Sequence, residues 1–207
     1  AMPSSRPVKP MPSVVVAFTI LTGIRDRATV SLSLRHVDPN RDPPVVMQDP
    51  NTVETKFAKG ITTYFFPLGD DLKAIVLDWI GELRNVHLFG PTDPLFPRTS
   101  IAVGVSGEFT ATGIERAHWS DASPVREIFR KAFIRAGLPY HSPHTFRHTL
   151  GHLMQTMCRS PEEVKAWSQN LGHERDMPEI PPDGRLRIDR ARNHRAVLVE
   201  NREIGPR

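Results

Sequence analysis

Apolar residues recur at every third or fourth position in several parts of the chain, which is the spacing of one face of an α-helix. In the first part this pattern predicts two short helices that meet at Thr22-Gly23, because glycine often ends a helix. Beyond them it predicts longer helices over 70–85, 123–136, 144–157 and 160–170. Ser-Pro pairs open two of these helices, and Gly137 follows another, as is typical of helix starts and ends.

The period changes between residues 45 and 68, where short runs of β-branched and aromatic residues replace the helical spacing. The runs cover 45–49, 52–57 and 61–68, and turn-forming residues separate them. They predict a small three-stranded antiparallel sheet. Residues 103–117 contain glycine and favour neither helix nor strand. The predicted fold class is therefore α+β, mainly helical with one small sheet.

Composition divides the chain into three parts. Residues 1–12 contain four prolines and predict a disordered tether. Residues 13–174 carry the predicted elements and are long enough for one globular domain. Residues 175–207 contain no Phe, Tyr or Trp and no sustained apolar period, which predicts a weakly ordered C-terminal tail.

Composition and charge exclude some classes of protein. An apolar fraction of 39% over 207 residues is too high for a wholly disordered chain, and the longest apolar run, 14–18, is too short for a membrane span. We therefore expect no membrane partner.

The single cysteine, Cys158, favours a reducing compartment, so a cytoplasmic protein is expected. The net charge of +4 permits a polyanionic partner but does not require one.

Four histidines lie close together in the sequence, at His141, His144, His148 and His152. The last three would share one face of a helix, a spacing that can hold zinc. The stretch HTLGH lacks the glutamate of the catalytic HExxH pattern, however, so metal-dependent hydrolysis is the least favoured function. We expect no metal and no other cofactor.

A second group of residues, spread along the chain, suits a phosphate diester: Arg25, Lys56, His144, Arg147 and His173. His144 and Arg147 are three positions apart on a predicted helix, so both side chains would face the same ligand. Guanidinium groups bind non-bridging oxygens in pairs, and cationic donors stabilise the additional charge of a pentacoordinate transition state. Taken singly, each residue also fits a solvated surface position or a helix cap.

These residues stand in motifs that resemble those of the tyrosine recombinase, or phage integrase, family. The motifs occur in the family's order: LTGIR at 21–25, TKFAK at 55–59, SPHTFRHT at 142–149 and LGH at 171–173. The resemblance extends over 14–174, which is most of the chain. It implies a mainly helical catalytic domain with a three-stranded sheet, acting on double-stranded DNA in site-specific recombination or in the integration of mobile elements.

The resemblance also implies a role for each residue. Arg25 and Arg147 would hold the scissile phosphate, and His173 would donate a hydrogen bond to it. Lys56 would protonate the leaving 5′ hydroxyl, with Lys59 as the neighbouring candidate. The chemistry needs no metal ion. Assembly of several copies on DNA and association with the nucleoid are expected.

His144 would assist proton transfer near the nucleophile, by the same resemblance. The sequence departs from the family at the position where an acid usually follows the first arginine. Ala28 stands there, and Asp26 is the candidate to replace the missing acid.

The nucleophilic tyrosine is the larger departure. The family's pattern would place it at or near Pro182, whereas the two tyrosines of the chain, Tyr64 and Tyr140, lie in the predicted sheet and in the loop before the histidines. A phenol must be in line with the leaving oxygen to attack phosphorus, so a tyrosine in another element cannot simply replace it.

The missing tyrosine coincides with the change in composition after residue 174. We interpret the tail as foreign to the ancestral domain, through truncation, a frame change or a degenerate gene copy. The expected function is that of a recombinase catalytic domain, inactive as this polypeptide. The alternative is a non-catalytic DNA-binding or regulatory module of the same fold.

Overall fold

The structure is a computed structural model that describes residues 11–55, 59–103 and 107–173. These residues form a mixed fold of helices and two small antiparallel sheets. In chain order, the elements are α1 (Met11–Thr22), α2 (Asp26–Ser31), β1 (Val37–Asp38), β2 (Val45–Gln48), β3 (Ile61–Tyr64), α3 (Asp70–Asn85), β4 (Arg98–Val103), β5 (Phe109–Glu115), α4 (Ser123–Arg135), α5 (Pro143–Met157) and α6 (Pro161–Asn170).

The helices agree closely with the sequence pattern. α3 has the predicted bounds, and α4, α5 and α6 each lie within one residue of theirs. α1 begins at Met11, earlier than the expected start at residue 13, because Met11 packs against the core and proline is tolerated in a first helical turn. α2 ends at Ser31, and Leu34 belongs to a separate 3₁₀ turn.

The three-stranded antiparallel sheet is confirmed, but one of its strands is not the predicted one. The strand order is β1-β2-β3, and β2 pairs with β3 from Val45↔Tyr64 to Gln48↔Ile61. The prediction of a strand at 52–57 is wrong for its described part, 52–55. The third strand of the sheet is β1 instead, which pairs Val37 with Val46.

A tight turn explains why no strand forms at 52–55. The carbonyl of Asp49 accepts hydrogen bonds from the backbone N–H of Thr52 and of Val53, and the Asp49 carboxylate accepts one from Asn51 N–H at 3.0 Å. These hydrogen bonds hold the backbone in a turn. Val53 is then buried in the core, at 2% exposure, rather than lying in a ladder.

β4 and β5 pair as an antiparallel hairpin that the sequence pattern does not predict. The strands pair from Arg98↔Glu115 to Val103↔Phe109, and Arg98 Nε donates to the Glu115 carboxylate at 2.8 Å. Most of the hairpin is exposed to solvent, so neither face needs the alternation of apolar and polar residues that marks a half-buried strand.

The main core surrounds α1. Phe18 is fully buried and meets Phe65 and Phe96 edge to face, with ring centroids 6.0 and 5.2 Å apart. Trp79 and Trp119 also belong to this core, as expected of tryptophans in a small domain.

A second, smaller apolar cluster lies under α5 and α6 and consists of Phe66, Leu150 and Leu171. Trp167 packs on Phe66 at a centroid distance of 4.6 Å, and its Nε1–H donates to the Leu150 carbonyl at 2.9 Å. This cluster fixes α6 against α5 and so positions the residues that follow α6.

Within the described ranges, no helix is both long enough and apolar enough to cross a membrane. The predicted tail, 175–207, and the first ten residues of the predicted tether lie outside those ranges.

Candidate functional site

Arg147 lies at the centre of the candidate site. It is on the inner face of α5 and is only 9% exposed, which is unusual for arginine. Its Nη1 donates to the Gly23 carbonyl at 3.1 Å, and its Nη2 donates to the Leu171 carbonyl. Two other parts of the chain therefore fix the position of the guanidinium group.

Gly23 brings the junction between α1 and α2 close to α5. Its φ of +59° lies in the left-handed region that favours glycine. A Cβ at this position would lie 2.7 Å from Leu150 Cδ1 and 3.0 Å from Leu171 Cδ2. Only a residue without a side chain allows this approach, which also presents the Gly23 carbonyl to Arg147.

Arg25 follows directly and occupies the N-cap position of α2, in an extended conformation. Its backbone carbonyl accepts a bond from Thr29 N–H. Among the described residues, its guanidinium makes no hydrogen bond and no ion pair. Its charge acts on Arg147, on His144 and on His173, and we call these four side chains the cationic cluster.

His173 reaches this cluster through the turn that ends α6. Gly172 has a φ of +71°, and His173 N–H donates to the Ser168 carbonyl at 3.1 Å. This is the usual glycine-containing end of a helix, which turns the chain away from the helix axis. The His173 ring nitrogen Nδ1 lies 3.4 Å from the Ser168 hydroxyl.

His144 joins the cluster from the first turn of α5. Its ring meets that of His148 edge to face, with centroids 4.7 Å apart, as expected for residues one helical turn apart. The charge of His148 acts on His144 and on His173. The sequence pattern assigned His148 only to the metal alternative, although its spacing from His144 could have placed it here.

Burial and mutual repulsion disfavour the positive charges of the cluster. Burial, with a contribution from Arg25, lowers the pKa of Arg147 to about 10. Burial also lowers the pKa of His144, and the charges of His148, Arg147 and Arg25 lower it further. Burial and the charges of Arg147, Arg25 and His148 lower the pKa of His173. A bound anion would relieve this repulsion.

Asp26 is the acid nearest to this arrangement in the sequence. It raises the pKa of His144, but only as the smallest of the influences on that group. Its carboxylate is occupied by Arg126 Nε, at 2.8 Å, and by Arg27 N–H, at 2.9 Å. Ala28, where the family has an acid, is buried in the core.

The remaining predicted residues are two lysines and the two tyrosines. Lys56 lies outside the described residues, and Lys59 lies just before β3. Tyr64 ends β3 and is 41% exposed. Tyr140 is 44% exposed, and its ring packs on Phe133 at 6.3 Å between centroids. Within the described ranges, neither tyrosine forms a hydrogen bond with a residue of the cluster.

His144, His148 and His152, the residues of the metal alternative, all lie on α5. Among residues 11–55, 59–103 and 107–173, no three side chains of His, Cys, Asp or Glu are grouped so as to hold a metal ion. His144 and His148 are the close pair, and their rings are edge to face.

The backbone groups that hold Arg147 could not be found from residue types. The carbonyls of Gly23 and Leu171 have no signature in a sequence, since every residue carries a carbonyl.

Comparison with models of known protein families and with curated protein sequences found no match for this chain.

Proposed function

We propose that the cationic cluster of Arg25, His144, Arg147 and His173 binds a phosphate diester of double-stranded DNA. One observation carries the proposal: a buried arginine, fixed by two backbone carbonyls, lies beside a second arginine whose guanidinium has no partner among the described residues. Two guanidinium groups so placed suit the paired non-bridging oxygens of a phosphate. The imidazoles of His144 and His173 supply further hydrogen-bond donors to the same phosphate.

The motif order and this cluster together support a tyrosine recombinase-like catalytic domain. In that role Arg25 and Arg147 stabilise the negative charge on the non-bridging oxygens, and His144 and His173 hold or move a proton at the phosphate oxygens. Lys56 remains the candidate to protonate the leaving hydroxyl. Assembly of several copies on DNA belongs to the same proposal, as does association with the nucleoid.

We propose further that this polypeptide binds DNA without cutting it. The sequence has no tyrosine after Tyr140, and neither tyrosine is in the position that the family uses. The protein would then act as a DNA-binding or regulatory module with the recombinase fold. Cleavage and rejoining through a 3′-phosphotyrosine would be the activity of the ancestral protein from which it descends.

Binding can be tested by fluorescence anisotropy with a labelled duplex. Arg25→Gln removes a charge but no described internal contact of the side chain, so it should weaken binding about tenfold while the protein stays folded. Arg84→Gln removes the same charge from the exposed last turn of α3 and is the matched control. The affinity of the unchanged protein should also fall steeply with salt. Equal affinities of the two variants would contradict the proposal.

Cleavage can be tested with a nicked duplex that traps covalent intermediates. No protein–DNA adduct is expected after denaturing electrophoresis. An adduct would show that a nucleophile is present, and Tyr64→Phe and Tyr140→Phe would then identify the residue.

A further inference from the structure

A single side chain, Asn170, joins the end of α6 to the free edge of the three-stranded sheet. Its Oδ1 accepts a hydrogen bond from Tyr64 N–H at 2.6 Å, and its Nδ2 donates to the Tyr64 carbonyl at 2.9 Å. β3 is an edge strand in the order β1-β2-β3. The amide of Asn170 therefore pairs with both backbone groups of one residue, as a neighbouring strand would.

Two further contacts continue this pairing along β3. The Thr63 hydroxyl donates to the Asn170 backbone carbonyl at 3.1 Å. Two residues beyond Asn170, Gly172 lies so close to Ile61 that an added Cβ would be 3.1 Å from Ile61 Cγ2. Residues 170–172 thus run beside β3 from its last residue back to its first.

The segment held in this way carries two parts of the cationic cluster. The carbonyl of Leu171 accepts a hydrogen bond from Arg147, and His173 follows Gly172. β3 in turn begins directly after Lys59 and Gly60, at the end of the stretch that contains the predicted lysines. Asn170 therefore ties the segment that carries the Leu171 carbonyl and His173 to β3.

α6 is also attached to the domain by contacts other than these bonds. Trp167 already attaches α6 to α5 through its bond to the Leu150 carbonyl and through its packing on Phe66. The bonds of Asn170 act one turn later, where the chain leaves the helix. Their specific effect is on the position of residues 171–173 relative to β3.

We propose that Asn170 is a positioning residue of the phosphate site, which sets His173 and the Leu171 carbonyl relative to β3. This inference rests on the proposed function for its effect on DNA. Its effect on the position of His173 is independent of any ligand.

The test uses the full chain and three variants. In Asn170→Ala, all three bonds of residue 170 to β3 are removed or weakened, while the controls keep most of them. Gln169→Ala changes the neighbouring exposed side chain, which makes no described hydrogen bond. Thr63→Val removes one bond and keeps the shape of the side chain.

We expect Asn170→Ala to weaken duplex binding about tenfold, which corresponds to the loss of one well-placed hydrogen-bonding contact to the anion. By NMR titration, the pKa of His173 should rise toward its ordinary value, because the ring moves away from burial and from Arg147. A merely stabilising side chain would lower the melting temperature and leave that pKa unchanged. Thr63→Val should show the same changes to a smaller degree, and Gln169→Ala should show none.

A folded Asn170→Ala variant with an unchanged His173 pKa and unchanged DNA affinity would overturn the proposal. If that variant does not fold, Thr63→Val decides by the same two measurements, and unchanged values overturn it there. If the unchanged protein binds no DNA, the proposed function fails, and the His173 titration still decides the role of Asn170.

Discussion

Arg147 donates to the carbonyl of Gly23 across 3.1 Å, and this bond joins α5 to the junction between α1 and α2. The same junction places Arg25 at the start of α2. The contact is therefore structural and functional at once: it fixes the buried arginine and brings a second arginine to it.

Arg147→Ala should lower the free energy of unfolding by about 2–4 kcal/mol, because it leaves two buried backbone carbonyls without their donors. Arg147→Lys keeps the charge, but an ammonium group cannot present the two-pronged geometry of a guanidinium. We expect it to recover part of the stability and little of the DNA affinity. Urea unfolding and anisotropy measure the two effects.

Arg84→Ala is the matched control for stability, since this exposed residue should change the free energy of unfolding by less than about 0.5 kcal/mol. Full DNA affinity in Arg147→Lys would show that charge alone, without the guanidinium geometry, is sufficient.

Gly23→Ala should be destabilising by about 2–4 kcal/mol, since it combines a left-handed backbone with a methyl group pressed against Leu150 and Leu171. Gly151→Ala is the control. Gly151 lies inside α5 with open space around it, so alanine should stabilise the protein by roughly 0.5–1 kcal/mol. Thermal or urea unfolding distinguishes the two, and equal effects would contradict the described packing of the junction.

Stability should fall on acidification. Burial lowers the pKa of His36, His144 and His173 from the ordinary value of 6.5. The unfolded chain therefore takes up protons at a higher pH than the folded one, so stability is complete above about pH 6.5 and declines below it. Urea unfolding at a series of pH values measures this, and a flat profile from about pH 7 to about pH 5 would contradict it.

His36 allows a specific check of that profile. Its Nδ1 accepts a hydrogen bond from Ser33 N–H at 2.8 Å, so Nε2 carries the proton and faces the Thr52 hydroxyl at 3.0 Å. A second proton on Nδ1 would break the bond to Ser33. His36→Gln should therefore lower stability at neutral pH and reduce the dependence on pH.

DNA affinity should show the opposite trend. A phosphate favours the protonated forms of His144 and His173, so binding is coupled to proton uptake. Affinity should rise from about pH 7.5 to about pH 6. His173→Asn keeps a donor but removes a titrating group, so it should reduce this rise. Affinity that falls over the same range would show that these imidazoles do not face the anion.

The helices could be predicted well because their signals are local. In α3 the apolar residues recur with the helical period, and in α4 Ser-Pro at the start and Gly137 after the end mark its limits. The strands are harder to predict from the sequence than the helices. Val53 has the type of a strand residue, but the hydrogen bonds to Asp49 place it in a turn, and the exposed hairpin of β4 and β5 has no buried face to produce a pattern.

For the site, the charged side chains could be predicted from the sequence, but the groups that hold them in position could not. Five residues are predicted to share a ligand: Arg25, Lys56, His144, Arg147 and His173. Lys56 lies outside the described ranges, and the other four are close enough for the charges of the two arginines to act on both histidines. The amide of Asn170 and the carbonyls of Gly23 and Leu171 act through positions in the fold that no local pattern marks. Asn170 in particular stands at a helix end, where asparagine has many ordinary reasons to occur.

The two carbonyl partners of Arg147 lie 124 residues before it and 24 residues after it in the chain. A contact over the longer separation forms only after a large loop has closed, so the site is complete only when α5 has packed on α1. In a partly folded domain all residues of the site would be present, but they would not be assembled into a binding site. A polyanion that binds only the native state would raise the melting temperature, and the stabilisation would grow with the logarithm of its free concentration divided by its dissociation constant.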